Sequence, residues 1–431
     1  FTFSDDGTRI AMRRYAPEGA GDRKHSGVDL VVRTLETGVE TNFGNVSDFA
    51  WQEEGTLLAM IIDAESQAGN GVQLYDPVSG TLRTLDSKNT RYTRLTWRDD
   101  EDDLAVLRVR DDDERYEDST HVVLAWRDLS DRSPVSFVFD PDSTDTFPAD
   151  MRIVPFAGIR WAEDGHIVYF GIKERERAEE DEETEGEEEE EETSDDEDED
   201  EAAADEDDEE PSTVEIWHAR DVDIYPQQEV EQRINRQENY LSAWHLDADR
   251  FIQLGTELTE DIRLVEGDRY AVGTDQTPYE SERMFGPVYR DIYLIEIASG
   301  DATLVKEKVQ YNYGPSSGGR YLLYLIDDHY WTYDIQNARH TNITEDIVST
   351  TFVDIKDDHT VDQKPPFGTV GWSENDRTVL LNDEYDVWEI RPDGSDAARL
   401  TNGADERIRH RRMRLDFDEE FVDTSQPLYF S

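Results

Sequence analysis

The feature that most constrains this chain is a short turn signature that recurs along its whole length. An aromatic residue is followed by small or acidic residues and then by a glycine or another turn residue. The clear copies are Phe3–Gly7, Trp51–Gly55, Trp97–Glu101, Trp161–Gly165 and Trp372–Asp376, and weaker ones are Leu264–Gly267 and Pro315–Gly319. Regular recurrence of this kind is the sequence signature of a repeat architecture.

Each copy of the turn is followed by apolar residues and then by an alternating segment. The apolar runs, such as LLAMII after Gly55 and YLLYLI after Gly319, have the composition of buried strands. The alternating segments, such as VQLYDPVSGTLRTL and VWEIRPDGSDAARLT, read as two strands joined by a tight hairpin. One unit is therefore a four-stranded antiparallel sheet, which must stack on its neighbours to bury its faces.

Radial stacking of such units predicts an all-β chain folded as a β-propeller. Seven blades are visible, and an eighth is possible because the tail LDFDEEFVDTSQPLYFS looks like the start of another set of strands. The chain begins and ends inside this pattern. We therefore interpret residues 1–431 as a single propeller domain truncated at both ends.

The interval between the turns at Trp161 and Leu264 is long enough to contain an insertion. Residues 179–210 hold 25 acidic residues and no basic one, which predicts a self-repelling, disordered loop over 174–211. The following segment PQQEVEQRINRQENYL has Pro226 at its start and Val230 and Ile234 four residues apart. This spacing predicts a short helical insertion over 226–241.

The net charge is −61, and it is spread over the whole chain. The acidic run contributes 25 of the 104 acidic residues, so the other 399 residues still carry −36. Only 7 of the 43 basic residues are lysine. We interpret this acidic surface as an adaptation to high salt, with a cationic partner as the alternative. It argues against nucleic acid as a partner, because phosphates need a basic stripe.

Motifs that carry chemistry are scarce. The chain has no cysteine, which excludes disulfides and thiolate metal sites, and no motif implies a metal or another cofactor. The one G-x-S-x-G match, Gly314–Gly318, is followed by a strand and not by the helix that a nucleophile elbow needs, so Ser316 is not predicted to be catalytic. His329 and His359 each follow two aspartates, and we interpret them as loop residues at blade edges.

A basic island, Arg407-Ile-Arg-His-Arg-Arg412, stands out in this acidic chain. Its candidate site residues are Arg407, Arg409, His410, Arg411 and Arg412. Guanidinium groups pair well with carboxylates, so the island could face a partner domain or a substrate. The alternative is a set of local salt bridges to the protein's own acidic residues.

Several blocks together resemble a known family. They include GNGVQLYDPVSG, YTRLTWRDD, VEIWHARD, NYGPSSGGRYLLYLIDDHYWTYDIQ and KPPFGTVGWSENDRTVLLNDEYDVWEIRPDGS, together with RIRHRR. They resemble the N-terminal β-propeller of prolyl oligopeptidase family serine peptidases, particularly large bacterial members related to dipeptidyl peptidases. The resemblance covers nearly all of the chain outside 174–211, and its more specific blocks lie between Asn312 and Arg412.

The resemblance implies a catalytic α/β-hydrolase domain C-terminal to this segment, with Ser, Asp and His supplied there and none here. The propeller would then limit substrate access and dock the catalytic domain, and peptides would be the substrates. The glutamate pair that holds a substrate N-terminus in dipeptidyl peptidases is not identifiable. The implied setting is periplasmic or secreted, in a salt-adapted bacterium.

Two other functions remain open at this stage. A stand-alone, non-enzymatic binding propeller that resembles the Tol-system propeller would share the same repeats. A propeller enzyme such as a glycosidase or lactonase would need carboxylates or metal ligands converging on the axis. No such set can be chosen from the sequence.

The charge yields a testable prediction. The melting temperature should be higher in molar KCl than in dilute buffer, because salt screens the repulsion between acidic side chains. Thermal unfolding followed by circular dichroism at both salt concentrations measures this. An unchanged melting temperature would contradict salt adaptation.

Overall fold

The computed structural model describes the chain except for residues 16–25, 111–115, 117, 132, 178–235, 260, 284–285, 362 and 417–418. Its 27 strands form antiparallel sheets in which consecutive strands are neighbours. One sheet has seven strands and five have four. The long strand β4 belongs to two blades, because Val46 and the residues before it pair with β3 and the residues after it pair with β5.

The chain therefore forms seven four-stranded blades, and the predicted all-β propeller is confirmed. Blade 1 contains β1 (Thr2–Phe3), β2 (Arg9–Arg13), β3 (Val28–Thr34) and the first part of β4 (Glu40–Trp51). Blade 2 contains the rest of β4, β5 (Leu58–Ile62), β6 (Gly71–Asp76) and β7 (Thr81–Ser87). Blade 3 contains β8 (Tyr92–Trp97), β9 (Leu104–Arg110), β10 (Thr120–Arg127) and β11 (Val135–Phe139).

The other four blades have the same order. Blade 4 contains β12 (Met151–Trp161), β13 (Ile167–Glu174), β14 (Tyr240–His245) and β15 (Arg250–Gln253). Blade 5 contains β16 (Asp261–Leu264), β17 (Tyr270–Asp275), β18 (Arg290–Glu296) and β19 (Ala302–Val309). Blade 6 contains β20 (Tyr311–Pro315), β21 (Tyr321–Ile326), β22 (His329–Asp334) and β23 (Arg339–Asn342). Blade 7 contains β24 (Thr369–Trp372), β25 (Val379–Asn382), β26 (Val387–Ile390) and β27 (Ala397–Arg399).

Helical structure in the described part of the chain is limited to single turns. They are the helix Glu280–Arg283 and the 3₁₀ segments Pro141–Ser143, Thr277–Tyr279 and Glu374–Asp376. Among the described residues there is no helix with the length and apolarity to span a bilayer.

The recurring turn signature marks one structural position in every blade. Its first residue, aromatic in five of the seven copies, is the last residue of the first strand of the blade. The next residue donates its backbone N–H to the carbonyl five residues further on, at 2.8–3.0 Å in all seven copies. A left-handed residue such as Gly165 or Gly319 then reverses the chain into the second strand.

Burial follows the predicted pattern. Every residue of β5 and β25 is buried, as are most residues of β9, β13, β17 and β21. The fourth strands, such as β7 and β27, are mostly exposed or half-buried. In blades 2 to 6 a neighbouring blade lies against each face of the second strand, which is therefore covered on both sides.

Buried apolar clusters join each pair of consecutive blades. In one of them, Trp97 of blade 3 packs against Leu74 of blade 2. The indole of Trp97 also donates to the Ala50 carbonyl (3.1 Å), and that of Trp161 donates to the Thr96 carbonyl (3.4 Å). The first strands are in contact as well, β4 with β8 and β8 with β12, which places them at the inner edge of the ring.

The C-terminal tail returns to blade 7 and does not begin an eighth sheet in the part of the chain that the structure describes. Val422 pairs with Ser373, and Phe430 pairs with Arg412. Val422 packs with Leu380 and Val387, on the face of blade 7 turned away from blade 6. The tail is apolar because it covers this face.

The predicted insertions fall mainly outside the described residues. Of the acidic segment 174–211, Glu174 is the last residue of β13, and residues 178–211 are not described. Of the predicted helix 226–241, residues 226–235 lie outside the described residues, and residues 236–241 are not helical. Tyr240 and Leu241 open β14, because they pair with Ile172 and Gly171 of β13.

The two ends of the strands differ sharply. The connections from first to second and from third to fourth strands have at most seven residues, and we call this the turn end. All longer connections lie at the opposite end, which we call the loop end; examples are residues 343–368 and 140–150. Long loops on a rigid scaffold are where binding residues concentrate.

Asp376 provides a stability test of the turn-end geometry. This buried carboxylate of blade 7 accepts from the Ser316 hydroxyl (2.6 Å) and from the backbone N–H groups of Gly318 (2.8 Å) and Arg320 (3.1 Å) in blade 6. Asp376→Ala removes the acceptor of the buried Ser316 hydroxyl and of two backbone N–H groups in the turn, so we expect a loss of about 3 kcal/mol in the free energy of unfolding. Urea unfolding in high salt measures it.

Glu374→Ala is the matched control, because Glu374 lies in the same turn with a largely exposed side chain. Its effect should stay within about 0.5 kcal/mol. Equal effects of the two substitutions would contradict the role of Asp376 as a link between blades.

Candidate functional site

The predicted basic island lies at the loop end, after the last strand of blade 7. Arg407 and Arg409 are exposed, and neither guanidinium makes a hydrogen bond or ion pair within the described residues. Arg407 has a φ of 56°, which turns the segment back on itself. These two arginines are free to meet an outside group.

The other three members of the island are held by the protein itself. His410 donates its backbone N–H to the Tyr385 carbonyl (2.7 Å). Arg411 donates to the Asp383 carbonyl (2.9 Å) and to that of Glu384 (3.3 Å), both in the connection between β25 and β26. Arg412 forms a two-oxygen ion pair with Glu419 (2.5 and 2.6 Å). The hypothesis of a free basic surface thus describes Arg407 and Arg409, and the hypothesis of local bonds to the protein describes the other three residues.

A buried carboxylate anchors the segment that carries the island. Asp386 is 0% exposed, and it accepts from the Thr401 hydroxyl (2.7 Å), the Gly403 N–H and the Ala404 N–H (3.2 Å). Burial alone raises the pKa of Asp386, but these hydrogen bonds and the charge of Arg399 outweigh it, so its pKa lies below the ordinary value.

Ser316 and the two histidines do not form a catalytic set. Ser316 is 3% exposed; its hydroxyl donates to Asp376 and accepts from the Tyr321 N–H (3.0 Å). His329 is the first residue of β22 and not a loop residue as predicted, and its Nδ1 contacts the Thr344 hydroxyl (3.2 Å). The exposed His359 lies in a loop and contacts Asp357. The G-x-S-x-G match is therefore the structural turn of blade 6.

The structure reveals a second basic site that sequence reasoning missed. A cavity of about 410 Å³ lies at the loop end, where blades 1 to 4 contribute residues. Its lining includes Asp63 from the end of β5, Arg91 from just before β8, His121 from β10 and Arg152 from β12. Successive members of this set are 28 to 31 positions apart in the sequence, so no local motif announces the site.

The charged groups of this cavity differ in whether they have hydrogen-bond or ion-pair partners within the protein. Asp63 accepts from the Ser26 N–H (2.8 Å) and hydroxyl (3.0 Å) and from the Asn70 amide (3.2 Å). Arg152 is only 8% exposed; it pairs with Asp118 (2.5 Å) through Nη2, while its buried Nε has no partner. Arg91 is exposed, and its guanidinium makes no hydrogen bond or ion pair in the described part of the chain.

His121 is a neutral acceptor in this cavity. The pKa of His121 is lowered to about 4, chiefly by burial and also by the charges of Arg152 and Arg91, against the raising effect of the Ile153 carbonyl. Its Nδ1 lies 2.9 Å from that carbonyl, which assigns the proton to Nδ1. Nε2 is left as a lone-pair acceptor.

Three carboxylates, of Asp102, Asp103 and Asp128, lie close enough together to hold a cation. They are at the turn end of blade 3. Arg98 donates to Asp103 (2.8 Å), and backbone N–H groups of Asp128 and Ser130 donate to Asp103 and Asp102. This group is part of the blade's own turn network.

Asp386 allows a prediction with a defined pH dependence. Its folded-state pKa is depressed, so its contribution to stability is present above the unfolded pKa of about 3.9 and is lost as pH falls through the folded value. Asp386→Asn should lower the free energy of unfolding at pH 7 by about 2 kcal/mol. The difference from wild type should narrow below about pH 4.

Denaturant unfolding at pH 7 and below about pH 4 measures the difference in the free energy of unfolding between wild type and Asp386→Asn. Asp405→Asn serves as the control, because Asp405 is exposed in the same segment. A difference between wild type and Asp386→Asn that does not depend on pH would contradict the assignment.

Comparison with known proteins gives fold-level likeness only. No family model and no curated protein matches this chain. Among solved structures, it is similar to Porphyromonas gingivalis dipeptidyl peptidase 4, with 12% identity and a TM-score of 0.36, over 93% of this chain and 52% of that one. This chain thus spans about half the length of that protein.

Two further structures cover most of this chain. The β-propeller domain of the Trilobed protease from Pyrococcus furiosus is 8% identical, with a TM-score of 0.31, over 92% of this chain and 95% of that one. TolB from Acinetobacter baumannii is 10% identical, with a TM-score of 0.25, over 90% and 79%.

Proposed function

We propose that this chain is the propeller portion of a serine peptidase of the prolyl oligopeptidase type, which docks a catalytic domain and controls access of peptides to it. The observation that carries the proposal is the division between the two ends. Every long connection and the free guanidinium groups of Arg407 and Arg409 lie at the loop end. The residue blocks between Asn312 and Arg412 that resemble this family support the peptidase assignment.

In this proposal the basic island is the docking contact. Arg407 and Arg409 are unpaired cations on a chain with a net charge of −61, so a carboxylate of a docked domain or of a peptide would gain a charge-assisted hydrogen bond there. Arg411 and Arg412 hold the segment in place through their bonds to blade 7 and to Glu419.

A stand-alone binding propeller is the second candidate function. The same loop end would serve it, because a rigid ring with long loops on one side suits protein binding without chemistry. The gene sequence after Ser431 distinguishes the two. A G-x-S-x-G between a strand and a helix, followed by Asp and then His, supports the peptidase, and a stop codon supports the scaffold.

The proposal assigns no catalytic residue to this segment, which predicts a clear biochemical result. The 431-residue chain should hydrolyse no peptide substrate and should not react with a serine-directed fluorophosphonate, because Ser316 is buried in a turn and bonded to Asp376. Gel fluorescence after labelling and a fluorogenic peptide assay measure this. Stoichiometric labelling of any serine would overturn the assignment.

If a catalytic domain is encoded downstream, its docking can be tested with that domain as a separate chain. Arg407→Gln with Arg409→Gln should weaken the complex by about tenfold or more. Arg377→Gln, an exposed arginine at the turn end, should leave it unchanged. Equal affinity of all variants would remove the basic island from the docking surface.

A further inference from the structure

The loop-end cavity lined by Arg91, His121 and Arg152 has the chemistry of a binding site that the proposed function does not use. Its volume of about 410 Å³ lies within the range of small-molecule sites. It combines two guanidinium groups, a neutral imidazole, the buried carboxylate of Asp63 and the carboxylate of Asp118, which pairs with Arg152. What matters is which of these groups the protein leaves unpaired.

The unpaired groups on the cavity wall are mainly cationic donors. The exposed Arg91 guanidinium has no hydrogen-bond or ion-pair partner among the described residues. Arg152 lines the cavity and pairs with Asp118 through Nη2 (2.5 Å), while its Nη1 makes no hydrogen bond within the described residues. A guanidinium N–H without a protein partner at the cavity is available to a ligand that accepts from it.

The remaining groups specify a second feature of the ligand. The free Nε2 of His121 can only accept, because the Nδ1–H donates to the Ile153 carbonyl. The Asp63 carboxylate already accepts hydrogen bonds from Ser26 and Asn70, so it forms part of the cavity wall and is not the main group that contacts a ligand. The complementary ligand has a carboxylate for the arginines and an adjacent N–H for the imidazole.

We propose that this cavity binds the carboxyl end of a short peptide, with the terminal carboxylate between Arg91 and Arg152 and the neighbouring amide N–H donated to His121 Nε2. A guanidinium fork matches a planar carboxylate. The site lies on blades 1 to 4, whereas the basic island lies on blade 7, so the proposal does not depend on docking of a catalytic domain.

The test is isothermal titration calorimetry on the full 431-residue chain with four probes. N-acetylglycine and the dipeptide alanylalanine contain both groups, N-acetylglycinamide lacks the carboxylate, and acetate lacks the N–H. We expect the first two to bind and the amide not to bind. Equal binding of the acid and the amide, or no binding by either acid, would overturn the proposal. Acetate binding as tightly as N-acetylglycine would reduce the site to one for any small carboxylate and overturn the peptide assignment.

Variants locate the site. Arg91→Gln should lower the affinity for N-acetylglycine about tenfold or more, and it should fold normally because the side chain is exposed and unpaired. Arg91→Lys keeps the positive charge but loses the two parallel N–H donors of the guanidinium. Its affinity for N-acetylglycine should therefore lie between those of wild type and Arg91→Gln. Arg377→Gln, at the turn end, is the matched control. Unchanged affinity in Arg91→Gln would place the ligand elsewhere and refute the proposal, whatever lies downstream of Ser431.

Discussion

Face-to-face packing of consecutive four-stranded sheets is the interaction on which this structure depends. A single blade leaves both faces of its second strand apolar, as in β5 and β25, where every residue is buried in the assembled ring. Burying such side chains stabilises the folded chain by about 25 cal/mol for each Å² of apolar surface that is removed from water. That gain is available only when the next blade is in place, so the repeats stabilise one another.

The tryptophans at the repeat turns contribute a directional element to this packing. The indoles of Trp97 and Trp161 reach back to carbonyls of the preceding blade's first strand, while their rings fill the apolar clusters. A buried indole usually pairs its N–H with an acceptor, as these two do. Trp97 and Trp161 therefore help to set the positions of blades 3 and 4 relative to the preceding blade.

This arrangement confines chemical variety to one end of the ring. The turn end is occupied by tight connections and by networks such as the one around Asp376. The loop end also has the longer connections, and it carries the basic island and the cavity around His121. In an acidic chain, the arginines that remain unpaired there are the side chains best placed to meet a ligand.

The repeat spacing alone predicted the sheets, because each turn signature lies at the end of the first strand and needs only local residues to be recognised. The basic island was also visible locally, although its division into free arginines and anchored residues depends on Tyr385, Asp386 and Glu419. The end of the helix predicted over 226–241 was misjudged, since pairing with β13 recruits Tyr240 into a strand.

The sequence by itself thus determined the all-β repeat, the buried second strands and the acidic surface, because each depends on spacing or composition. Only the tertiary structure decided which ends of the strands share a surface and which charges meet there. Arg91, His121 and Arg152 are distant in sequence, and they become neighbours because blades 3 and 4 pack face to face. A binding site built across repeats is a consequence of that packing and has no signature within any one repeat.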